Sequence, residues 1–169
     1  MGYSIVTFDE AGFRLVPVYK KVWFFKGEKP KGIFFWSNKK INIIGALIDG
    51  KDFFYEWHTS LNSVTFYIFI NNFLEKYPEQ KFVFVLDNAG YHKTYPIADL
   101  LQEHKDRIKI EFLPPYSPEL NPTETCWKII RYNVTNSTYF ESIFTMTQSI
   151  DNFLKNYFFR LDMSNYLCP

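Results

Sequence analysis

Three carboxylates occupy positions in the sequence at which they could act together. Asp9 follows the apolar run "YSIVTF", Asp87 follows the apolar run "KFVFVL", and Glu124 lies in the segment "NPTE". Each acid alone has an ordinary structural interpretation. Asp9 could belong to a turn, Asp87 could bond to the backbone two residues on, and Glu124 could close a capping box with Asn121.

Taken together, the three acids indicate a different chemistry. If Asp9, Asp87 and Glu124 converge in a poorly solvated place, their repulsion is costly unless a cation lies among them. Oxygen ligands without histidine or cysteine suit Mg²⁺ or Mn²⁺. Two such ions about 4 Å apart can hold the attacking and leaving oxygens of a phosphodiester displacement.

The elements around these acids are expected to bring them together. The continuous apolar run 81–86 is typical of a strand buried on both faces, and we expect it to pair in parallel with strand 3–8. Asp9 and Asp87 would then meet at the carboxyl edge of the sheet, where open α/β sheets bind ligands.

A proline-rich segment, "FLPPYSPELNPTETCW" at 112–127, precedes the third acid. Prolines restrict their own φ and the residue before them, so we expect a stiff, rod-like connector. Asn121 suits an N-cap and Pro122 the first helical position, which would set Glu124 in the first turn of a helix.

The remaining elements predict a mixed α/β fold. A turn at "AG" would join strand 3–8 to a second strand over 13–19, and Asp49-Gly50 would close a hairpin. Apolar periodicity predicts helices at 63–77, about 95–104, from Asn121, and over about 139–157, with a strand at 108–113.

The composition is that of a folded protein with no membrane-spanning run. We expect 169 residues to form one domain, 1–169, with its own core. The two cysteines, Cys126 and Cys168, match no metal or redox spacing, and no run of about 18 apolar residues occurs. We therefore expect a soluble, intracellular protein.

Charge is unevenly distributed along the chain. Residues 20–40 hold seven lysines and one glutamate, whereas the rest of the chain has 12 basic and 17 acidic residues. Lysines interleaved with aromatic rings could follow a phosphate backbone. The same pattern could equally be a hairpin with buried rings and solvated lysines.

Three blocks of sequence resemble the catalytic domain of DDE transposases of the mariner superfamily, in the bacterial and archaeal insertion-sequence branch. They are "DEAGF", "VFVLDNAGYHK" and "LPPYSPELNPTETCWKIIR", and 36 residues separate Asp87 from Glu124. The resemblance implies a ribonuclease H-like fold, with a mixed central sheet and helices on both faces. It also implies that Asp9, Asp87 and Glu124 hold two Mg²⁺ or Mn²⁺ ions, cut DNA and join the freed 3′-OH to target DNA.

Other residues are weaker candidates. Glu10 and Glu119 are second choices as metal ligands, because strand alternation turns Glu10 away from Asp9. Asn88 could bond to a phosphate or orient Asp87, and His92 could contact DNA or stabilise a turn. The cations expected to meet phosphates are Lys128, Arg131, Lys20 and Lys21.

Relatives place helix-turn-helix modules before the catalytic domain, and we expect none in this chain. It could be an excised domain, one frame of a split element, or a decayed copy. A catalytically silent DNA-binding or interaction module is the alternative to a transposase, and a stand-alone nuclease is a third hypothesis. By analogy with relatives we expect a homodimer on DNA, in the cytoplasm and associated with the nucleoid.

Overall fold

A five-stranded mixed sheet forms the centre of the molecule. The computed structural model describes residues 2–16, 25–28 and 37–167. The strands are β1 Ser4–Arg14, β2 Lys40–Ile48, β3 Asp52–His58, β4 Phe82–Leu86 and β5 Ile108–Phe112. Their order across the sheet is β3-β2-β1-β4-β5. β1 runs antiparallel to β2 and parallel to β4, which confirms the predicted parallel pairing at the centre of the sheet.

Five α-helices occur in the described residues. They are α1 Ser63–Lys76, α2 Tyr95–Glu103, α3 Pro122–Ile130, α4 Ile143–Asn156 and α5 Ser164–Leu167. Two 3₁₀ turns, Gly90–Lys93 and Pro118–Leu120, and a π-helical turn, Arg131–Thr135, connect them. The predicted helices at 63–77 and 95–104 are confirmed. The last long helix begins later than expected, because the Ser142 side chain caps it by accepting from the Thr145 N–H.

The expected turn at "AG" is wrong, because β1 continues through it. Ala11 and Gly12 pair with Ile43 and Asn42 of β2, and the pairing extends to Arg14. Ala11 is buried in the sheet. Cross-strand pairing therefore overrides the local turn preference of this dipeptide. The rest of the expected second strand, 17–19, lies outside the described residues.

Helices cover both faces of the sheet, as predicted. On one face, Val6, Phe8 and Phe84 pack with the apolar sides of α1 and α2. On the other face, Ile43 packs with residues of α3 and α4, among them Trp127. β1 contributes to both cores because successive side chains point to opposite faces.

The hairpin between β2 and β3 turns at Asp49-Gly50, as predicted. Both residues have positive φ, 48° and 72°. The Lys51 N–H donates to the Ile48 carbonyl across them, and the three-residue loop 49–51 joins the paired residues Ile48 and Asp52. A side chain on Gly50 would also collide with the Leu161 carbonyl. Both the turn and the close approach therefore require glycine here.

Among the residues that the structure describes, no helix is long and apolar enough to cross a membrane. Cys126 is buried and unpaired. Cys168 and most of the lysine-rich segment, including Lys20 and Lys21, lie outside the described residues.

Candidate active site

The register of the central strands places Asp9 beside Asp87. The last paired residues of β1 and β4 are Thr7 and Val85, and Asp9 and Asp87 each lie two residues further along the chain. β4 ends at Leu86, whereas β1 continues. Asp9 is thus inside a strand, and not at its end as predicted. The edge at which the two acids meet is produced by the end of β4.

The proline-rich connector is compact, and the prediction of a rod was wrong. It turns at Tyr116, whose φ is 57°, and continues into the 3₁₀ turn that begins at Pro118. Pro118 and Pro122 each occupy the first position of a helical segment, where a missing N–H is harmless. Two of the prolines therefore begin helical segments, and the bend lies at Tyr116.

Buried polar contacts anchor the start of α3 to β1. The Asn121 amide donates to the Phe8 carbonyl at 2.9 Å, and the Thr123 hydroxyl donates to the Thr7 carbonyl at 2.9 Å. The hydroxyls of Thr7 and Thr123 lie 2.7 Å apart. These bonds fix the residues on either side of the helix start to Thr7 and Phe8 of β1. They therefore hold Glu124 beside the part of β1 that contains Asp9.

The N-cap prediction is confirmed, but the capping box is not. The Asn121 side chain accepts from the Thr123 N–H at 3.1 Å. The Asn121 N–H, which a capping-box Glu124 would need, donates to the Pro118 carbonyl at 3.0 Å. The Glu124 side chain is therefore not required for capping, and it lines the neighbouring cleft.

Asp9 lies in a poorly solvated and negatively charged position. Burial, followed by the nearby carboxylates of Glu124 and Glu10, raises its pKa from 3.8 to about 8. Two hydrogen bonds oppose this shift: the Trp127 indole N–H donates to Oδ2 of Asp9 at 2.8 Å, and the Glu10 backbone also bonds to the carboxylate. Such a carboxyl accepts a cation readily, because a positive charge would relieve both the desolvation and the repulsion.

Asp87 is held by contacts to its Oδ1 atom. The Ala89 N–H donates to this oxygen at 2.9 Å, which is the backbone bond that its local sequence predicts. Nδ1 of His92 lies 2.8 Å from the same oxygen, while Nε2 of His92 lies 3.3 Å from Glu10. Hydrogen bonding to His92 is the main reason that the pKa of Asp87 is lowered.

The three predicted acids line one cleft of about 400 Å³. Asp9 comes from β1, Asp87 from the end of β4, and Glu124 from the first turn of α3. The connector forms the opposite wall, with Tyr116 fully exposed at its turn. Residues far apart in the sequence therefore meet at the sheet edge that the sequence predicts.

The donor set of the cleft fits a hard divalent cation. Asp9, Asp87 and Glu124 offer only carboxylate oxygens, which Mg²⁺ and Mn²⁺ prefer. Within residues 2–16, 25–28 and 37–167, no three His, Cys, Asp or Glu side chains are already grouped tightly enough to hold an ion. An ion would therefore need the carboxylates to approach one another, or further oxygens from water and substrate.

The predicted DNA-contact residues have different environments. Asn88 lines the cleft, where its amide donates to the Leu113 carbonyl at 2.6 Å and its oxygen accepts from Lys93 at 2.6 Å. The His92 side chain is only 1 % exposed, and both ring nitrogens contact carboxylates. This environment favours a stabilising role over contact with DNA.

Of the predicted cations, Lys128 is exposed one helical turn after Glu124. Arg131 lies with its guanidinium 5.3 Å from the centre of the Phe13 ring. Lys20 and Lys21 are outside the described residues.

Three contributors to the site lie outside the predicted set of residues. Trp127 packs in the core and also bonds to Asp9. Thr123 bonds to β1, and the ring of Tyr116 is wholly exposed at the cleft. Helical spacing places Trp127 near Glu124, but the sequence contains no sign that its ring reaches β1.

Comparison with known proteins identifies relatives of the chain. A family model described as DDE superfamily endonuclease matches residues 4–147. The uncharacterized protein y4pE/y4sA of Sinorhizobium fredii is 41% identical over 59 residues, which are 35% of this chain and 40% of that protein. The uncharacterized 39 kDa protein of insertion element IS630 from Shigella sonnei is 22% identical over 149 residues, 87% of this chain and 43% of that protein. The chain thus spans less than half the length of these two relatives.

Solved structures of Mos1 transposase share the fold. The pre-cleavage Mos1 transpososome has a TM-score of 0.73 at 20% identity, covering 97% of this chain and 51% of that one. The Mos1 mariner paired end complex with Mn has a TM-score of 0.72 at 20% identity, with coverages of 97% and 50%. The catalytic domain of Mos1 mariner transposase gives 0.61 at 19% identity, with coverages of 97% and 74%. These similarities confirm the predicted ribonuclease H-like fold.

Proposed function

The chain belongs to the DDE superfamily endonuclease family, and on this premise we propose that it is the catalytic domain of a transposase. It cuts DNA strands and joins the freed 3′-OH to target DNA. The observation that carries this proposal is the meeting of Asp9, Asp87 and Glu124, from three separate elements, in one cleft. The Mos1 mariner paired end complex was solved with Mn, which supports a metal-dependent reaction for this chain.

Each carboxylate has its own support in the protein. Trp127 orients Asp9, His92 fixes Asp87, and the bonded start of α3 holds Glu124. We propose that these three acids bind two Mg²⁺ or Mn²⁺ ions. When bound, a pair of divalent ions activates the attacking oxygen and stabilises the leaving oxygen of a phosphodiester.

The proposed reaction has two steps, cleavage and strand transfer. In cleavage, water adds to phosphorus and the P–O3′ bond breaks, which gives a 5′-phosphate and a 3′-OH. In transfer, that 3′-OH attacks a target phosphodiester, and a new P–O bond replaces the one that breaks. The protein's task in both steps is to hold carboxylates and DNA in fixed relative positions.

DNA contacts outside the carboxylates come from groups around the cleft. Asn88 offers an amide in the cleft wall, and Lys128 extends from the same side of α3 as Glu124. Arg131 lies about one helical turn after Lys128, at the start of the π-helical turn. Lys20 and Lys21 would add positive charge from the lysine-rich segment. These contacts would be made with phosphates and would not read sequence.

Recognition of transposon ends requires more than this domain. The net charge is +1, so little electrostatic affinity for DNA comes from the chain as a whole. We propose that a DNA-recognition module supplies end specificity and that a homodimer brings two ends together. We also propose a cytoplasmic, nucleoid-associated location, which a DNA substrate would support.

The test is incubation of the purified chain with supercoiled plasmid and Mn²⁺ at low salt. We expect nicked plasmid, and we expect none with Asp87→Asn or with chelator present. Glu119→Gln is the matched control, because Glu119, the second-choice ligand on the connector, is exposed and does not line the cleft. Equal nicking by wild type and Asp87→Asn would disprove the assignment. No nicking by folded wild type would favour either the non-enzymatic alternative or a requirement for the DNA-recognition module, and adding that module in trans would decide between them.

A second assay separates a transposase from a stand-alone nuclease. An oligonucleotide duplex with a free 3′-OH is labelled and mixed with plasmid, Mn²⁺ and the chain. Covalent joining of the label to plasmid is the transposase result. Nicking without joining would indicate a nuclease that uses the same three carboxylates.

A further inference from the structure

Asp9 has an uncommon neighbour on the adjacent strand. It pairs directly with Gly45 of β2, and the indole of Trp127 covers that glycine. A Cβ atom on Gly45 would lie 2.6 Å from Cη2 and 2.8 Å from Cζ2 of Trp127, closer than such atoms can approach. Because no side chain occupies position 45, the large ring of Trp127 can lie against the sheet at the level of Asp9.

The polar edge of this ring reaches the carboxylate. Nε1 of Trp127 donates to Oδ2 of Asp9 at 2.8 Å. The residue is only 1 % exposed, and the edge of Phe53 packs against its ring with the centroids 5.3 Å apart. An indole N–H is a donor with a fixed direction. It can therefore help to set the orientation of the Asp9 carboxylate, together with the Glu10 backbone N–H that also bonds to it.

We propose that Trp127 is a positioning residue for Asp9 and that Gly45 provides the clearance this requires. Trp127 does not line the cleft, whereas Asp9 does, so the indole acts on a bound ion only through the carboxylate. Partners of metal-ligating groups commonly tune affinity in this way. This inference rests on the proposed function, because it assumes that Asp9 binds a divalent ion.

The chain contains a matched control for the indole–carboxylate bond. Nε1 of Trp57 donates to Oδ1 of Asp151 at 2.9 Å, and neither residue lines the cleft. Trp127→Phe and Trp57→Phe thus remove the same kind of bond from two places. Both variants keep an aromatic ring in the same core cluster.

Two measurements test the proposal. The first is the affinity for Mg²⁺ by titration calorimetry, which we expect to fall about tenfold or more in Trp127→Phe and to stay at the wild-type value in Trp57→Phe. The second is the indole ¹H–¹⁵N spectrum of wild type. The signals of Trp127 and Trp57 are assigned as those that are missing from the spectra of Trp127→Phe and Trp57→Phe. We expect Mg²⁺ to shift the signal of Trp127 and to leave that of Trp57 in place.

Gly45→Ala is a second variant that changes neither Asp9 nor Trp127. The added methyl group would meet the Trp127 indole and the Phe53 ring, each at 2.6 Å. Because the two rings pack on each other, the indole would shift, and we expect Mg²⁺ affinity to fall as in Trp127→Phe. Gly45→Ala keeps the whole indole ring, whereas Trp127→Phe replaces it with a smaller one. A fall in Mg²⁺ affinity in Gly45→Ala therefore cannot be explained by loss of ring volume.

The proposal is overturned if Trp127→Phe loses thermal stability but binds Mg²⁺ as tightly as Trp57→Phe, since Trp127 would then serve the core alone. An indole signal of Trp127 that does not respond to Mg²⁺ would also overturn it. If wild type neither binds Mg²⁺ nor nicks DNA, the proposed function itself fails and the inference fails with it. Normal binding and nicking by both wild type and Trp127→Phe would defeat the inference alone.

Discussion

Nδ1 of His92 lies 2.8 Å from Oδ1 of Asp87, so a buried imidazole holds the carboxylate at the end of β4. The other ring nitrogen lies 3.3 Å from Glu10. Burial by itself lowers the pKa of His92, but hydrogen bonds and attraction to Asp87 and Glu10 outweigh it and raise the pKa from 6.5 to about 9. His92 therefore carries a positive charge between two carboxylates at neutral pH.

This charge predicts a pH dependence of stability in the metal-free protein. Because the folded-state pKa of His92 is raised, its stabilisation is complete below about pH 6.5 and is lost as pH rises through about 9. We expect His92→Gln to lower the free energy of unfolding at pH 6.5 by at most about 3 kcal/mol. The difference from wild type should shrink as pH approaches 9, as measured by urea denaturation.

His104→Gln, which changes a histidine outside the cleft at the end of α2, is the control for this experiment. The carboxylate contacts of His92 to Asp87 and Glu10 stay intact in this variant, so it should not reproduce the effect of His92→Gln. A constant difference between wild type and His92→Gln across this pH range would contradict the ion-pair assignment and leave His92 as a packing residue.

Binding of Mg²⁺ should release a proton from Asp9. The pKa of Asp9 is raised to about 8, chiefly by burial, so this carboxyl is mostly protonated at pH 7, whereas a metal ligand must be ionised. Calorimetry in two buffers of different ionisation enthalpy should show release of roughly one proton at pH 7. The release should decline as pH rises above about 8. Binding without proton release at pH 7 would show that Asp9 is already ionised or takes no part.

The hydroxyl contacts of Thr123 should matter for stability. Thr123→Val keeps the side-chain shape but removes the bonds to the Thr7 carbonyl and hydroxyl. Both threonines are 0% exposed, so Thr7 would be left without its buried partner, at a cost of about 1–3 kcal/mol. We expect Tm to fall by several degrees, on the order of 3–10 °C.

Thr147→Val is the control for this substitution. The Thr147 hydroxyl donates only to the Phe144 carbonyl in its own helix and is exposed, so its loss should change Tm little. Similar shifts in the two variants would mean that the contact between α3 and β1 contributes no special stability.

Tyr116 should contribute to DNA affinity without contributing to the fold. Its ring is fully exposed at the rim of the cleft, and its backbone has a φ of 57°, a strained value for a residue with a side chain. Stacking of an aromatic ring on a base is worth about 1–3 kcal/mol. We expect Tyr116→Ala to weaken binding of a short labelled DNA about tenfold in fluorescence anisotropy, with unchanged Mg²⁺ affinity.

Tyr95→Ala removes another exposed tyrosine, at the start of α2 and away from the cleft wall. It should leave DNA affinity at the wild-type value. If both alanine variants weaken binding equally, exposed aromatic rings act non-specifically and Tyr116 has no particular role.

The acids of the site could be predicted from sequence because each follows a strong local signal. Asp9 and Asp87 follow apolar runs of sequence, and Asn121-Pro122 marks a helix start just before Glu124. Parallel pairing of the two strands then places both aspartates at one edge. These signals depend on neighbours in the chain or on one strand pairing, which sequence patterns reveal well.

The features that were wrongly predicted or missed depend on contacts between residues that are distant in the sequence. Ala11-Gly12 has the local character of a turn, but pairing with β2 keeps it extended. Tyr116 bends a connector whose prolines favour extension. The bond from Trp127 to Asp9 spans 118 positions and needs a glycine on a third element. No local pattern in the sequence encodes these relationships.

The central claim is that Asp9, Asp87 and Glu124 form one divalent-metal site. The most direct test is titration of the metal-free chain with Mn²⁺, with free Mn²⁺ measured by electron paramagnetic resonance. We expect tight binding by wild type and by Glu119→Gln, and a loss of about tenfold or more in each of Asp9→Asn, Asp87→Asn and Glu124→Gln. Unchanged Mn²⁺ affinity in all three variants of the site would contradict the claim.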